Sequence, residues 1–225
     1  IPQFLLATQY RMHPELSVYA GQAFYDGRLR DGVTAEQRAS HVQWPVASYP
    51  GYFHDVPAND RFVGTSRAND AEATVVVATV GWLLGQRVPA SDIGIIATYG
   101  AQVSVIRRAL DRARSGSVVV NTVDSYQGQE RAFIIISFVR GAGGGSLSFL
   151  EMAPRLNVAM TRCQRGRICI GNAETMRRGT LLRDLVRHHE ARGAVLRGAV
   201  GSLKSVAVEK TVALAEVPRE LAAVP

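Results

Sequence analysis

Little in this chain invites a metal or a disulfide. Cys163 and Cys169 are its only cysteines. They are too few and too close for a disulfide framework, and no CxxC or Cys/His ligand spacing occurs, so reduced thiols and no structural metal are expected. Lysine is nearly absent: of 26 basic side chains all but Lys204 and Lys210 are arginine. No apolar run is long enough to cross a bilayer, and the first residues lack a basic segment followed by an apolar one and a small-residue cleavage site. These absences point to a soluble intracellular protein, cytoplasmic or nuclear, with no membrane partner. Also missing are a Gly-x-x-x-x-Gly-Lys-Ser/Thr loop, an apolar strand ending in an Asp-Glu pair, and a GxGxxG turn. The chain alone is therefore expected neither to cradle a triphosphate with its Mg²⁺ nor to act as a stand-alone Rossmann-like enzyme. The glycine-rich stretch Gly141 to Ser146 follows a strand but has no lysine, and reads as a surface loop.

The 225 residues suffice to bury a substantial core, and a hydrophobic fraction of 47% with 20% charged residues is ordinary for a globular protein. The formal charge of +7 favours a polyanionic partner, because clustered cations neutralise phosphates and release condensed counterions. A compositional bias towards arginine, alanine and valine gives the same sum, so charge alone carries little weight.

Apolar β-rich runs recur at Phe4 to Ala7, Ile93 to Ala97, Val118 to Asn121, Phe133 to Val139 and Arg167 to Gly171. Helical patterns separate most of them, which predicts an α/β fold with a mainly parallel sheet and helices on both faces. The unbroken Ile134-Ile135-Ile136 run suits a central strand covered on both sides. Between Gln102 and Arg114, Val103, Ile106 and Leu110 form one helical stripe. Asn69 or Asp70 is placed to cap a helix running through Trp82 to Leu84. The section at about 31–64 contains Pro45, Pro50 and Pro57 and no sustained period. It reads as an irregular excursion with one short strand at Tyr52 to His54.

Three stretches carry candidate chemistry: Gln9-Tyr10-Arg11-Met12-His13-Pro14, Asn121 to Glu130, and Arg155-Leu156-Asn157-Val158-Ala159-Met160-Thr161-Arg162. The middle one leaves a strand through a polar turn, and open α/β sheets bind ligands at the carboxyl ends of their strands. Each outer one presents an arginine, whose guanidinium stays charged and donates a planar pair of hydrogen bonds to phosphate. In this order and spacing the three resemble the second, C-terminal RecA-like motor domain of a superfamily-1 helicase of the up-frameshift type. The resemblance runs from Gln9 to about Arg197.

That resemblance implies a RecA-like domain over residues 1–197 and a partly mobile C-terminal extension over 198–225. It implies ATP and Mg²⁺ bound mainly by a first RecA-like domain that this sequence, starting at Ile1, does not contain. Arg11 and Arg162 would be the catalytic arginines reaching the terminal phosphate. Tyr10 would stack on adenine, Glu130 would accept from the ribose, Gly128 would lie beside the nucleotide, and Gln127 would link that site to the nucleic-acid face. Thr98, Thr122, Val123, Asp124, Ser125 and Arg140 would line a track for single-stranded RNA or DNA, with RNA work including messenger surveillance as the leading reading and regulatory proteins as further partners. Movement would be 5′ to 3′. Two departures from the family pattern stand out: Ala97-Thr98-Tyr99 replaces Thr-Pro-Tyr, and Ala132 occupies a position that is often acidic. A DNA helicase and a motor-derived binding scaffold without ATPase activity are the alternatives.

Overall fold

The computed structural model describes residues 7–115, 117–143 and 145–205. Phe4, Leu5 and Leu6 of the expected first strand, Gly144 of the glycine-rich loop and residues 206–225 of the expected extension lie outside the described residues.

In chain order the elements are β1 (Thr8–Gln9), α1 (Pro14–Phe24), β2 (Arg30–Asp31), β3 (Gly51–Asp55), β4 (Arg61–Val63), β5 (Ser66–Ala68), α2 (Asp70–Gly85), β6 (Ile93–Ala97) and α3 (Gly100–Ala113). There follow β7 (Val119–Thr122), β8 (Arg131–Ser137), α4 (Ala153–Met160), β9 (Cys163–Gly171), α5 (Ala173–Met176), α6 (Leu181–Glu190), β10 (Val195–Arg197) and β11 (Lys204–Ser205). A seven-stranded sheet has the order β11-β10-β3-β9-β8-β6-β7. Every pairing in it is parallel except that of β10 with β11. Helices α2 and α3 pack together, and α1 packs with α4 and α6. This is a RecA-like α/β architecture, a parallel sheet sandwiched by helices.

The sequence pattern explains the centre. In β6 and β8 the residues Ile93, Ile95, Ile96, Ile134, Ile135 and Ile136 are all buried, as strands covered on both faces require. Val103, Ile106 and Leu110 form the buried stripe of α3. Asn69 caps α2, its side chain accepting from the Glu72 amide. The excursion holds more order than its prolines suggested: β3 is a fully buried five-residue strand between β9 and β10, and β4 and β5 form a separate hairpin.

Behind the carboxyl ends of β6 and β8 lies a buried polar cluster. The Glu72 carboxyl accepts from Ser137 Oγ at 2.7 Å and from the Val139 amide at 2.9 Å. Asn69 Nδ2 donates to the Val139 carbonyl at 3.1 Å, and Gln102 Nε2 donates to the Asn69 carbonyl and to Ser137 Oγ. These bonds hold Val139 at φ 73, a left-handed conformation that strains a β-branched residue by about 1–3 kcal/mol. Burial pushes the Glu72 carboxyl up to about 8. Its folded-state value exceeds the unfolded one, so the stability it contributes is present below about pH 4.5 and is lost as pH rises towards 8. His188 and His189, depressed by burial to about 2 and 3, act in the opposite sense, losing stability as pH falls below the ordinary histidine range. Comparison with Glu72→Gln cancels the histidine contribution. Urea denaturation is expected to show the variant gaining on the wild type between pH 5 and 8, by at most about 1.4 kcal/mol per pH unit. Parallel curves would refute a protonated Glu72.

Candidate nucleotide and nucleic-acid site

The Gln9 side chain organises the first motif. Its Oε1 accepts from the amides of Arg11 at 2.9 Å and Met12 at 2.7 Å, and its Nε2 donates to the Met12 carbonyl. His13 caps α1, with Nδ1 accepting from the Glu15 amide and Pro14 opening the helix. The His13 amide donates to the Gln164 carbonyl at 2.8 Å, stitching this segment to the start of β9.

That stitch brings the two arginines together. Arg11 forms an ion pair through Nε with Glu130 Oε2, and its Nη1 donates to the Thr161 carbonyl at 2.9 Å. Arg162 donates through Nε to the Val158 carbonyl at 3.1 Å and through Nη2 to Thr161 Oγ1 at 3.3 Å. Both guanidinium groups therefore flank Thr161. Glu130 also accepts from Gln164 Nε2 at 2.8 Å. The hydrogen bond from Arg11 leads the causes that hold the Glu130 carboxyl below its ordinary value. Burial, followed by the charge of Arg11, lowers Arg162. Asn157 Nδ2 donates to Tyr25 Oη at 3.0 Å, tying the arginine-bearing end of α4 to the end of α1. Tyr10 is 66% exposed, its ring lying so close to Gly32 that a Cβ there would clash with it.

Two residues of this rim escaped the sequence reading. Arg38, from the one-turn helix Glu36–Arg38, donates to the carbonyls of Arg11 and Tyr10, each at 2.7 Å. Gln164 supplies the second contact to Glu130. Gln164 stands two residues after Arg162 and could have been marked as a neighbour. Arg38 reaches backbone carbonyls across the excursion, and no side-chain pattern signals that.

The position of the rim differs from the expected one. Glu130 and Arg162 immediately precede β8 and β9 and so stand at the amino ends of these parallel strands. Residues Thr122 to Glu130 leave the carboxyl end of β7 and cross to the amino end of β8. One loop thereby borders both edges, with Gln127 exposed along it and Gly128 at φ 81, a left-handed turn that suits glycine.

At the carboxyl edge the expected track residues separate. Thr122 and Ser125 share a hydrogen bond of 3.1 Å and reach solvent. Val123 is buried in the core. Thr98 is buried too, its hydroxyl donating to the Phe138 carbonyl at 3.0 Å. Arg140 is 3% exposed and faces Asp60 at 3.7 Å, because the turn at Val139 directs it inwards rather than to the surface. Asp124 is exposed but held by both Nε and Nη2 of Arg155, at 3.0 and 3.1 Å. Arg155 in turn lies 3.9 Å from the centroid of Phe149. Of the six expected track residues, Thr122 and Ser125 alone present hydroxyls outward.

Two guanidinium groups and one carboxylate meet at this rim, and the exposed Tyr10 adjoins Arg11 in the chain. Among the described residues no three His, Cys, Asp or Glu side chains cluster to hold a metal ion. No helix among the described residues is long and apolar enough to cross a membrane.

The fold and rim define a RecA-like α/β domain with a paired-arginine edge. A family model described as the AAA domain matches residues 1–174, and the chain belongs to that family. Regulator of nonsense transcripts 1 of Caenorhabditis elegans is 34% identical over 217 residues, an alignment covering 91% of this chain and 20% of that protein. The ATP-dependent helicase NAM7 of Saccharomyces cerevisiae is 33% identical over 219 residues, covering 91% and 22%. The ATP-dependent helicase upf1 of Schizosaccharomyces pombe is 34% identical over 219 residues, covering 92% and 24%. The chain thus spans about a fifth of the length of these relatives.

Proposed function

We propose that this chain is the C-terminal motor half of an ATP-dependent helicase that moves along single-stranded RNA. The convergence of Arg11, Arg162 and Glu130 on one rim carries the reading. A scaffold that only bound nucleic acid would have no use for two cations held together beside one carboxylate. The relatives' names, regulator of nonsense transcripts among them, favour RNA and a part in messenger surveillance.

In this reading ATP lies between the rim and a preceding RecA-like domain, which supplies the phosphate cradle and Mg²⁺. Tyr10 offers its exposed face to the adenine. Ribose hydroxyls donate to Glu130 and compete there with Arg11, so nucleotide entry releases the Arg11 guanidinium towards the terminal phosphate. Arg162 meets the same phosphate from the α4 side. As the phosphoryl group transfers, charge spreads over its equatorial oxygens, and the two fixed cations stabilise it more than they stabilise the ground state. After hydrolysis the contact is lost and the cleft opens. Thr122 and Ser125 lie on the loop that ends in Glu130, so closure at the rim shifts the carboxyl edge that faces the strand. The reading is tested by RNA-stimulated ATP hydrolysis in the complete protein; absence of stimulation by any single strand would contradict it.

Arg38 acts here as a positioning residue, because its two hydrogen bonds fix the peptides that carry Tyr10 and Arg11. Arg38→Ala in the complete protein is expected to lower kcat by about 10- to 100-fold through misplacement of the guanidinium. RNA affinity should stay unchanged, and Arg38→Lys should recover part of the rate. Equal kcat in Arg38→Ala and wild type would remove Arg38 from the machinery.

A further inference from the structure

The hairpin of β4 and β5 carries an aromatic ring that the core does not use. Phe62 is 69% exposed, and its cross-strand partner is Arg67, whose guanidinium carbon lies 3.9 Å from the ring centroid. The support beneath the ring is unusually firm for a surface hairpin. Arg61 grips Asp70 with two hydrogen bonds of 2.7 and 3.1 Å. Arg67 forms an ion pair with the buried Asp60, which also accepts from the Gly141 amide at 2.9 Å and faces Arg140. Ser66 Oγ accepts from the Ala101 amide at 3.1 Å in the first turn of α3. Anchors to Ala101 and Gly141 place the hairpin just past the ends of β6 and β8, at the carboxyl edge that also holds Thr122 and Ser125.

We infer that Phe62 is a base-stacking site for the single strand, extending the track beyond the hydroxyls of Thr122 and Ser125. This rests on the proposed motor function. An exposed ring backed on one side by a guanidinium offers its other face to any nucleobase, and such stacking is worth about 1–3 kcal/mol per base. Continuity with the carboxyl edge that carries the exposed hydroxyls of Thr122 and Ser125 favours a single strand over an apolar protein segment, and Arg67 alone backs the ring. The hairpin's two cations are matched by Asp60 and Asp70, so the ring rather than net charge supplies its affinity.

The test uses the complete protein with oligouridylate and oligodeoxythymidylate. Phe62→Ala is expected to raise Kd by about 5- to 100-fold while leaving the slope of log Kd against log salt unchanged, since no phosphate contact is lost. ATPase without nucleic acid should be unaffected. Phe62→Trp should restore affinity, and its added fluorescence relative to wild type should be quenched on binding. Unchanged Kd in Phe62→Ala, or an unquenched Trp at this position while the wild type binds, overturns the stacking site and leaves the motor reading standing. If the wild type binds neither oligonucleotide, both fall.

Discussion

Alanine at Arg162 in the complete protein is expected to lower kcat for RNA-stimulated ATP hydrolysis by about 10³- to 10⁵-fold, and alanine at Arg11 by a comparable factor. The size follows from the task. A guanidinium meeting the terminal phosphate offers fixed charge and two directed donors in a site from which water is excluded, where each is worth more than in bulk. Lysine keeps the charge but not the planar fork, so Arg162→Lys should recover only a minor part. The double variant should be little worse than either single one, because the two groups act on the same phosphate. Single-turnover hydrolysis is the measurement, with RNA affinity as the control that must not move. Full activity in either alanine variant would defeat the assignment of that arginine.

The largest expected loss of stability comes from a different arginine. Arg167 is fully buried. Its Nη1 donates to the carbonyls of Leu16 at 3.0 Å and Met160 at 2.8 Å, and its Nη2 contacts Tyr49 Oη at 3.4 Å. Nearby His188 and His189 are held neutral by burial, so they add no positive charge beside it at neutral pH. Arg167→Ala leaves a cavity and strands buried acceptors, and is expected to lower the unfolding free energy by about 3–5 kcal/mol. Arg167→Met fills the space and should lose less. The same side chain joins α1 to α4, which carry the segments presenting Arg11 and Arg162, so hydrolysis should fall with stability. Urea denaturation checks the first effect; a loss below about 1 kcal/mol would mean that other groups take over those acceptors.

How much of this was legible in the sequence depended on whether a feature was written in local pattern. The strand at Ile93–Ala97 and the stripe of α3 were readable, and the strand expected at Phe133 to Val139 was found two residues earlier, at Arg131–Ser137, because continuous or periodic apolar residues have few other uses. The strand Gly51–Asp55 was glimpsed only as a short piece. Its neighbours Pro50 and Pro57 and its polar His54 and Asp55 mask a central position that only pairing with β9 and β10 defines. The candidate residues were named from motif order, but motif order says nothing of which sheet edge they reach. Hence Glu130 and Arg162 stand at amino ends where a carboxyl-edge crevice was anticipated. Arg140 looked like a surface cation until the Val139 turn and Asp60 drew it inside. Arg38 and the Phe62 hairpin depend on contacts distant in sequence, made largely to backbone or across strands, and no local spacing announces them.

The most direct measurement is a structure of the complete protein with ADP and aluminium fluoride, which imitates the transferring phosphoryl group. The expected result is both guanidinium groups, Arg11 and Arg162, within about 3 Å of the fluoride ligands, with Glu130 turned from Arg11 to the ribose. A bound analogue contacted by neither arginine, with Arg11 still paired to Glu130, would contradict the account at its centre.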